Sequence, residues 1–237
     1  MTLVLVTATT LEMKAVLTGF NGRGRFGCAL PGEGAVLPSP INERDCLLAV
    51  TGIGPVNAAL RLARLLAIAG PIAGVINLGV AGSFDTASAP LCSVVMATRE
   101  VWPEYGLALA GGVDSRGLGF PLRDHETSPV WNTLDLDPAD ALRTMGLGLP
   151  SAAITGTSIT VAGVSGTPER ATQLAERHNA LTENMEGFAL ALACRDLDIP
   201  FAEVRTISNR VGVRPPVDWN LDGALTALGA AARDMFC

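Results

Sequence analysis

ENMEGFALALACRDLDIPFAEVRTISN, residues 183–209, reads as a helix followed by a strand. From Gly187 to Cys194 every position is apolar or glycine, the pattern of a buried helix rather than an amphipathic one lying on a surface. Beyond Pro200, FAEVRTISN has the apolar and β-branched content of a strand, and Glu203 and Arg205 alternate onto one of its faces, a spacing that a structural ion pair is enough to explain. A carboxylate, Glu186, stands where the apolar helix begins. A buried ionised carboxyl is costly unless something pairs with it, so the rest of the chain has to supply its partner.

Outward from this stretch the same alternation recurs. LVLVTA (3–8) precedes a helical TLEMKAVLTGF, and CLLAVTGIG (46–54) precedes PVNAALRLARLLAIAG; AGVINLGVAGSF (73–84) and LCSVVMATREV (91–101) are further strands. SAAITGTSITVAGV (151–164) leads to a helix with Thr167 as cap and Pro168 at its first position, and a last helix covers about 220–236. Strands alternating with helices predict an α/β layered fold with a largely parallel, buried sheet. Residues 105–150 scatter Gly, Pro, Asp and Ser among few periodic apolar positions and read as a long loop region or insertion. With 237 residues, 49% of them hydrophobic, the whole chain (1–237) is expected to form one domain around one large core.

The formal charge of −6 and a single lysine, Lys14, argue against nucleic acid or an anionic membrane as partner, because both require clustered cations. The five cysteines are odd in number, scattered and without a CxxC pair, and with two separated histidines they offer no zinc-type spacing. No metal or cofactor is expected. The start of the chain lacks a basic region followed by a cleavage site, and the most apolar later stretch is broken by Arg61, Arg64 and Pro71. These features predict a soluble cytoplasmic protein that acts on a small molecule.

TGIGPVNAA places Gly52 and Gly54 between a strand and a helix, as a dinucleotide site does. The third glycine position is Asn57, however, and no acidic residue occurs between Asp45 and Asp85, which argues against NAD. Thr9-x-x-Glu12 fits a capping box, in which Glu12 only closes a helix N-terminus; Glu12 is equally placed to act as a general base at the C-terminal edge of a parallel sheet. Glu186 is either a helix-start carboxylate favoured by the dipole, with Asn184 as the cap, or an acceptor for two adjacent donors such as the 2′- and 3′-hydroxyls of a ribose. Asn209 can be a simple turn residue.

Taken in order, LVLVTATTLEMKAVL, VTGIGPVNAA, INLGVAGSF and NMEGFALALACRDLDIPFAEVRTISN resemble the purine nucleoside phosphorylase and nucleosidase superfamily over most of the chain; residues 104–150 match it only loosely. The resemblance implies a three-layer α/β/α fold with a central mixed, mostly parallel sheet, and a homodimer or higher homo-oligomer. It also implies hydrolysis of a nucleoside N-glycosidic bond without a cofactor. On the same footing, Glu12 would deprotonate the attacking water, Met185 would pack on the sugar, Glu186 would hold the ribose hydroxyls and Arg205 would position water or the carboxylates. Asn209 would bind the departing base, with Val164 and Ser165 against the purine face.

SGTPERA (165–171), ENMEG, RTISNRVG and WNLDGALTALG (219–229) are similar above all to the futalosine hydrolase family within that superfamily. This implies release of hypoxanthine in the alternative menaquinone pathway. The methylthioadenosine/S-adenosylhomocysteine nucleosidases usually have Asp where Asn209 stands, and Ser in place of Val80. An amide can donate to a 6-oxo group and accept from N7–H, which suits hypoxanthine better than adenine. An adenine-releasing (methylthioadenosine or aminofutalosine) nucleosidase, a phosphorylase and a non-catalytic nucleoside binder are the alternatives. Trp102, Tyr105, Arg116 and Arg123 are available for the 5′ substituent, and nothing local chooses among them.

Overall fold

The structure, a computed structural model, describes residues 1–20, 29–124, 128–213 and 219–237. The chain runs β1 (Thr2–Thr7), α1 (Thr10–Phe20), β2 (Val36–Pro38), β3 (Cys46–Val50), α2 (Pro55–Ile68), β4 (Ile72–Ser83) and β5 (Val94–Val101). It continues through β6 (Leu107–Leu109), β7 (Gly112–Asp114), β8 (Thr133–Asp135), α3 (Pro138–Thr144), β9 (Ile154–Thr160) and α4 (Pro168–His178), and ends with β10 (Ala180–Asn184), α5 (Gly187–Arg195), β11 (Phe201–Arg210) and α6 (Leu221–Met235).

Why three layers form is visible in β1, whose side chains alternate between two cores. Leu3 and Leu5 face α1 and α6, joining Met13, Val16, Leu228 and Ala232, whereas Val4 and Val6 face the other way, joining Leu62 and Leu65 of α2 and Phe188 and Leu190 of α5. In β11, Ala202 and Val204 lie on the α1/α6 side, which puts Glu203 and Arg205 on the α2/α5 side.

The main sheet has the order β10-β9-β5-β11-β4-β1-β3-β2, with β8 beside β5. Pairings β1–β3, β1–β4, β4–β11, β5–β9 and β9–β10 are parallel; β2–β3, β5–β8, β5–β11 and β4–β10 are antiparallel. The sheet is thus mixed and mostly parallel, and it is not simply open. β4 reaches far enough to pair with β10 through Thr182–Ser83 and Glu183–Gly82, so β10, β9, β5, β11 and β4 close into a ring at one end.

The 105–150 stretch is not the loop its composition suggested. It contains the β6–β7 hairpin, β8 paired with the last residues of β5, and α3, capped by Asp137, which accepts the N–H of Asp140. Strands of three residues are too short to show a period. The buried helix of the 183–209 stretch, α5, starts at Gly187, where its apolar run begins, but ALTEN before it, which does not read as a strand from the sequence, is β10.

Helices α1 and α6 approach closely through glycine. A Cβ on Gly19 would lie 1.9 Å from the Gly229 carbonyl oxygen, and one on Gly229 would lie 2.5 Å from that of Ala15. Backbone cannot yield there as a flexible side chain can. Gly19→Ala should therefore destabilise the protein by roughly 1–3 kcal/mol, the usual cost of overpacking, measured as a lower urea midpoint; an unchanged midpoint would show that the helices part freely.

Candidate active site

The strand ends of β1, β3, β4 and β11 and the start of α5 bring Glu12, Gly54, Val80, Arg205 and Glu186 together at the C-terminal edge of the parallel strands, where α/β folds hold ligands. Glu12 is a capping-box residue, as its spacing suggested. The Thr9 N–H and hydroxyl donate to its Oε2 at 2.9 and 2.8 Å, and its own N–H donates to the Thr9 hydroxyl at 3.2 Å. It also does more than cap. Oε1 accepts the Val80 N–H at 3.0 Å from β4, which fixes the carboxylate and leaves that oxygen a further lone pair.

Gly54 explains the Gly-x-Gly turn. Its φ of 95° is a conformation that side-chain-bearing residues rarely adopt, and it aims the Gly54 N–H at Glu186 Oε1, 2.9 Å away. Glu186 sits at the cap position of α5, 5% exposed, with no local cap bond of its own. Asn184, expected as the cap, is not at that position but does the work of one: its Oδ1 accepts the N–H groups of Glu186 and Gly187, both at 2.8 Å. Met185 packs partly buried against Val101, Ile159 and Val161.

Arg205 is 2% exposed and is the single buried cation among the described residues. Its Nε donates to Glu203 Oε1 at 2.9 Å and its Nη1 lies 3.7 Å from Glu186 Oε2. Burial favours loss of its proton, but the carboxylates of Glu203, Glu186 and Glu12 outweigh that and hold it charged. A Cβ on Gly79 would lie 2.5 Å from Arg205 Nη1 and 2.8 Å from Glu12 Oε1, so this glycine lets the cation and the base flank one point on β4. Arg205 Nη2 has no hydrogen-bond partner among the described residues.

Asn209 is half-buried near the end of β11, just past an irregularity in its pairing with β4. Its Nδ2 donates to the Arg210 carbonyl at 2.9 Å and its Oδ1 accepts from Ser208 Oγ at 2.9 Å. One amide hydrogen and one carbonyl lone pair remain for another partner. Ser165 is buried and committed to Glu183, donating through its N–H at 2.9 Å and its hydroxyl at 2.5 Å; Val164 beside it is 39% exposed. Glu183 and Asn209 both pair with Gly82, which places the Ser165 segment one strand away from Asn209.

Of the four candidates for a 5′ substituent, the two arginines are engaged elsewhere: Arg123 pairs with Asp196 at 2.9 Å, and Arg116 lies over the Trp131 ring at 5.0 Å. Trp102 does reach the site. With Pro55, Val56, Leu60, Leu122 and Phe188 it lines an apolar cavity of about 390 Å³ beside the Gly54 turn and the start of α5, and Tyr105 packs against it at 5.8 Å between ring centroids.

The residues that sequence reading missed are Gly79, whose role needs the fold, and a buried polar set on β5, β9 and β10: Glu100, Ser158, Thr160 and, in its full role, Asn184; Gly54 is legible in its turn, but its bond to Glu186 is not. Glu100 in MATREV carries the one usable signal, a carboxylate near the end of an apolar strand.

Residues 2–235 match the family described as the phosphorylase superfamily. The chain is 39% identical over 184 residues to the futalosine hydrolase of Thermus thermophilus, covering 77% of each chain. It is 33% identical over 234 residues to that of Streptomyces coelicolor, covering 96% of this chain and 92% of that one. Its fold is similar to those of the 5′-methylthioadenosine/S-adenosylhomocysteine nucleosidase and the native futalosine hydrolase of Helicobacter pylori, with TM-scores of 0.73 and 0.71. Both are 18% identical, and each comparison covers 98% of this chain and 94% of the other.

Burial pushes the Glu186 carboxyl above its usual range; the Arg205 guanidinium and the Gly54 N–H oppose that shift without cancelling it. A carboxyl raised on folding favours the folded state below its unfolded pKa, near 4.3, and that contribution is lost as pH rises through the folded value. Relative to wild type, Glu186→Gln should therefore gain thermal stability on going from pH 4 to pH 8, while losing roughly 100-fold or more in turnover. A melting difference independent of pH would contradict this.

Proposed function

The chain belongs to the phosphorylase superfamily, and from that membership we propose that it hydrolyses futalosine, releasing hypoxanthine and dehypoxanthine futalosine. It is a nucleoside N-glycosidic hydrolase. The observation that carries the reading is the convergence of Glu12, Arg205 and Glu186 around Gly79 and the Gly54 turn, in a chain that shares 33–39% of its residues with two futalosine hydrolases over most of its length.

The geometry suits a ribosyl centre that gains positive charge as the base leaves. Water attacks C1′ and gives its proton to Glu12, whose Oε1 retains a lone pair directed by the Val80 N–H and Thr9 contacts. Arg205 Nη2, with no acceptor among the described residues, donates to that water or to the sugar. Glu186 accepts the 2′- and 3′-hydroxyls, and its charge stabilises the cationic ring; Met185 packs on the sugar. The bond from C1′ to N9 breaks with its electron pair going to the purine. Asn209 then donates its remaining amide hydrogen to the 6-oxo group and accepts from N7–H, while Val164 lies against the purine face, held by the buried Ser165–Glu183 bonds. An amide has no proton to transfer near neutral pH, so the proton for the leaving base comes from solvent.

The cavity lined by Trp102, Phe188 and Leu60 takes the aromatic part of the 5′ substituent, whose carboxylate needs a cation or amide donor beyond this lining. Ile53, Val56 and Leu60 are 58%, 78% and 63% exposed at its edge, and we assign them to contact with a second copy in a homodimer or higher homo-oligomer. No helix among the described residues is long and apolar enough to cross a membrane. The single domain, 1–237, works in the cytoplasm within the alternative menaquinone pathway.

Incubation with futalosine, aminofutalosine, inosine and methylthioadenosine, with and without phosphate, tests this. Hypoxanthine should appear from futalosine at a rate independent of phosphate. Glu12→Gln should bind substrate normally and lose roughly 10²–10⁴-fold in turnover, the range for a general base. Adenine release from methylthioadenosine or aminofutalosine would contradict the role of Asn209, and no release from any substrate would favour a binding protein.

A further inference from the structure

Behind Glu186 lies a second pair of carboxyls that the reaction above does not use. Glu100 on β5 and Glu203 on β11 are each 0% exposed. They point at the same spot: a Cβ on Gly187 would lie 2.3 Å from Glu100 Oε1 and 2.2 Å from Glu203 Oε2, so the two carboxyls face each other with no room for a side chain between them. Glu203 Oε2 has no hydrogen-bond partner among the described residues. Two like charges this close, in a ring whose single buried guanidinium must also serve Glu186 and Glu12, cannot both stay ionised.

The amide of Asn184 ties this pair to the sugar site. Its Nδ2 lies 2.7 Å from Glu100 Oε1 and 3.1 Å from Glu203 Oε1, while its Oδ1 takes the Glu186 and Gly187 N–H groups. Thr160 lies 2.8 Å from Glu100 Oε2 and accepts the Phe188 N–H at 2.7 Å. Glu203 Oε1 in turn holds Arg205 Nε. Apart from the Gly54 N–H on Glu186, these polar contacts at the start of α5 lead back to the carboxyl pair or to Arg205.

We infer that Glu100 and Glu203 share one proton and act as positioning residues for the hydrolysis, setting through Asn184 and Arg205 where Glu186 sits and how much of its charge faces the ribose. The inference rests on the hydrolase reading. With one proton the pair carries a single negative charge, which Arg205 neutralises, leaving the Glu186 charge for the ribosyl cation. With no proton, the excess charge draws Arg205 away from Glu186. Burial and the facing Glu203 both keep the Glu100 carboxyl protonated well above the usual carboxylate range.

The groups facing Glu100 from the surrounding elements are neutral apart from Glu203: Thr160 and Ser158 on β9, Asn184 on β10, and the first N–H groups of α5. Asn77 on β4 is the register partner of Glu203, and Leu134 on β8 that of Glu100. Arg205, Glu186 and Glu12 lie behind Glu203. Cys194 is two turns along α5, about 10 Å, and Arg99 on β5 is exposed and paired with Asp135.

Two measurements test the pair. Infrared spectra of the wild-type protein should show a protonated-carboxyl stretch that persists at pH 8 and is missing from Glu100→Gln. In kinetics, wild-type kcat should fall on the alkaline side as Glu100 loses its proton, and Glu100→Gln should lose that limb while keeping at least a tenth of the neutral-pH rate. Glu203→Gln should lower kcat roughly 100-fold, the cost of a misplaced catalytic group, with KM changing far less. A wild-type spectrum without the band overturns the inference even if neither variant folds. So does a Glu100→Gln profile that keeps the alkaline limb, or a Glu203→Gln kcat within about threefold of wild type. A wild-type protein that shows the band but turns over no nucleoside would instead count against the hydrolase reading.

Discussion

One buried guanidinium organises this molecule. Arg205 is 2% exposed, and Glu203, Glu186 and Glu12 all act on its charge. Placing a cation there costs desolvation that only nearby carboxylates offset, and breaking such a set by removing one partner is far more damaging than never having built it. The strand carrying Arg205 pairs with β4 on one side and β5 on the other, so the ion group is fixed by the centre of the sheet rather than by loops. A catalytic constellation held on strands keeps its geometry better than one held on mobile segments.

Glycines decide where the charged groups can go. At Gly79 the absence of a side chain lets Glu12 and Arg205 meet; at Gly187 it lets two carboxyls meet; at Gly54 the backbone turns its N–H onto Glu186. The closing of the sheet through β10 and β4 completes the arrangement, because it brings Asn184 within reach of Glu100 on β5 and Glu203 on β11. Packing, backbone conformation and charge therefore converge on the start of α5, which explains how an apolar helix tolerates a carboxylate at its first turn.

Much of this was legible in the chain. The alternation of short apolar runs with capped helices marked every major strand of the sheet's parallel core, and Thr167-Pro168 marked the start of α4. Glu12, Glu186 and Arg205 could be singled out because charges in apolar surroundings need a reason. What stayed hidden was of three kinds. Strands β6, β7 and β8 are too short to carry a period. β10 does not read as a strand, because ALTEN is short and does not alternate. Glu100 and Gly79 acquire meaning only when distant strands are paired, and no local spacing reports that Glu100 faces Glu203 while Gly79 faces Arg205.

The central claim is that Glu186 takes a ribose diol as its partner. The most direct measurement is the calorimetric affinity of the Glu12→Gln protein, slowed in turnover so that binding is read before hydrolysis, for futalosine and for its 2′,3′-dideoxy analogue. Two hydrogen bonds to a charged acceptor are worth about 3–6 kcal/mol together, so the dideoxy compound should bind roughly 100-fold more weakly or worse. Equal affinity for the two would show that the diol is not the partner of Glu186, and the reading of the site would fail with it.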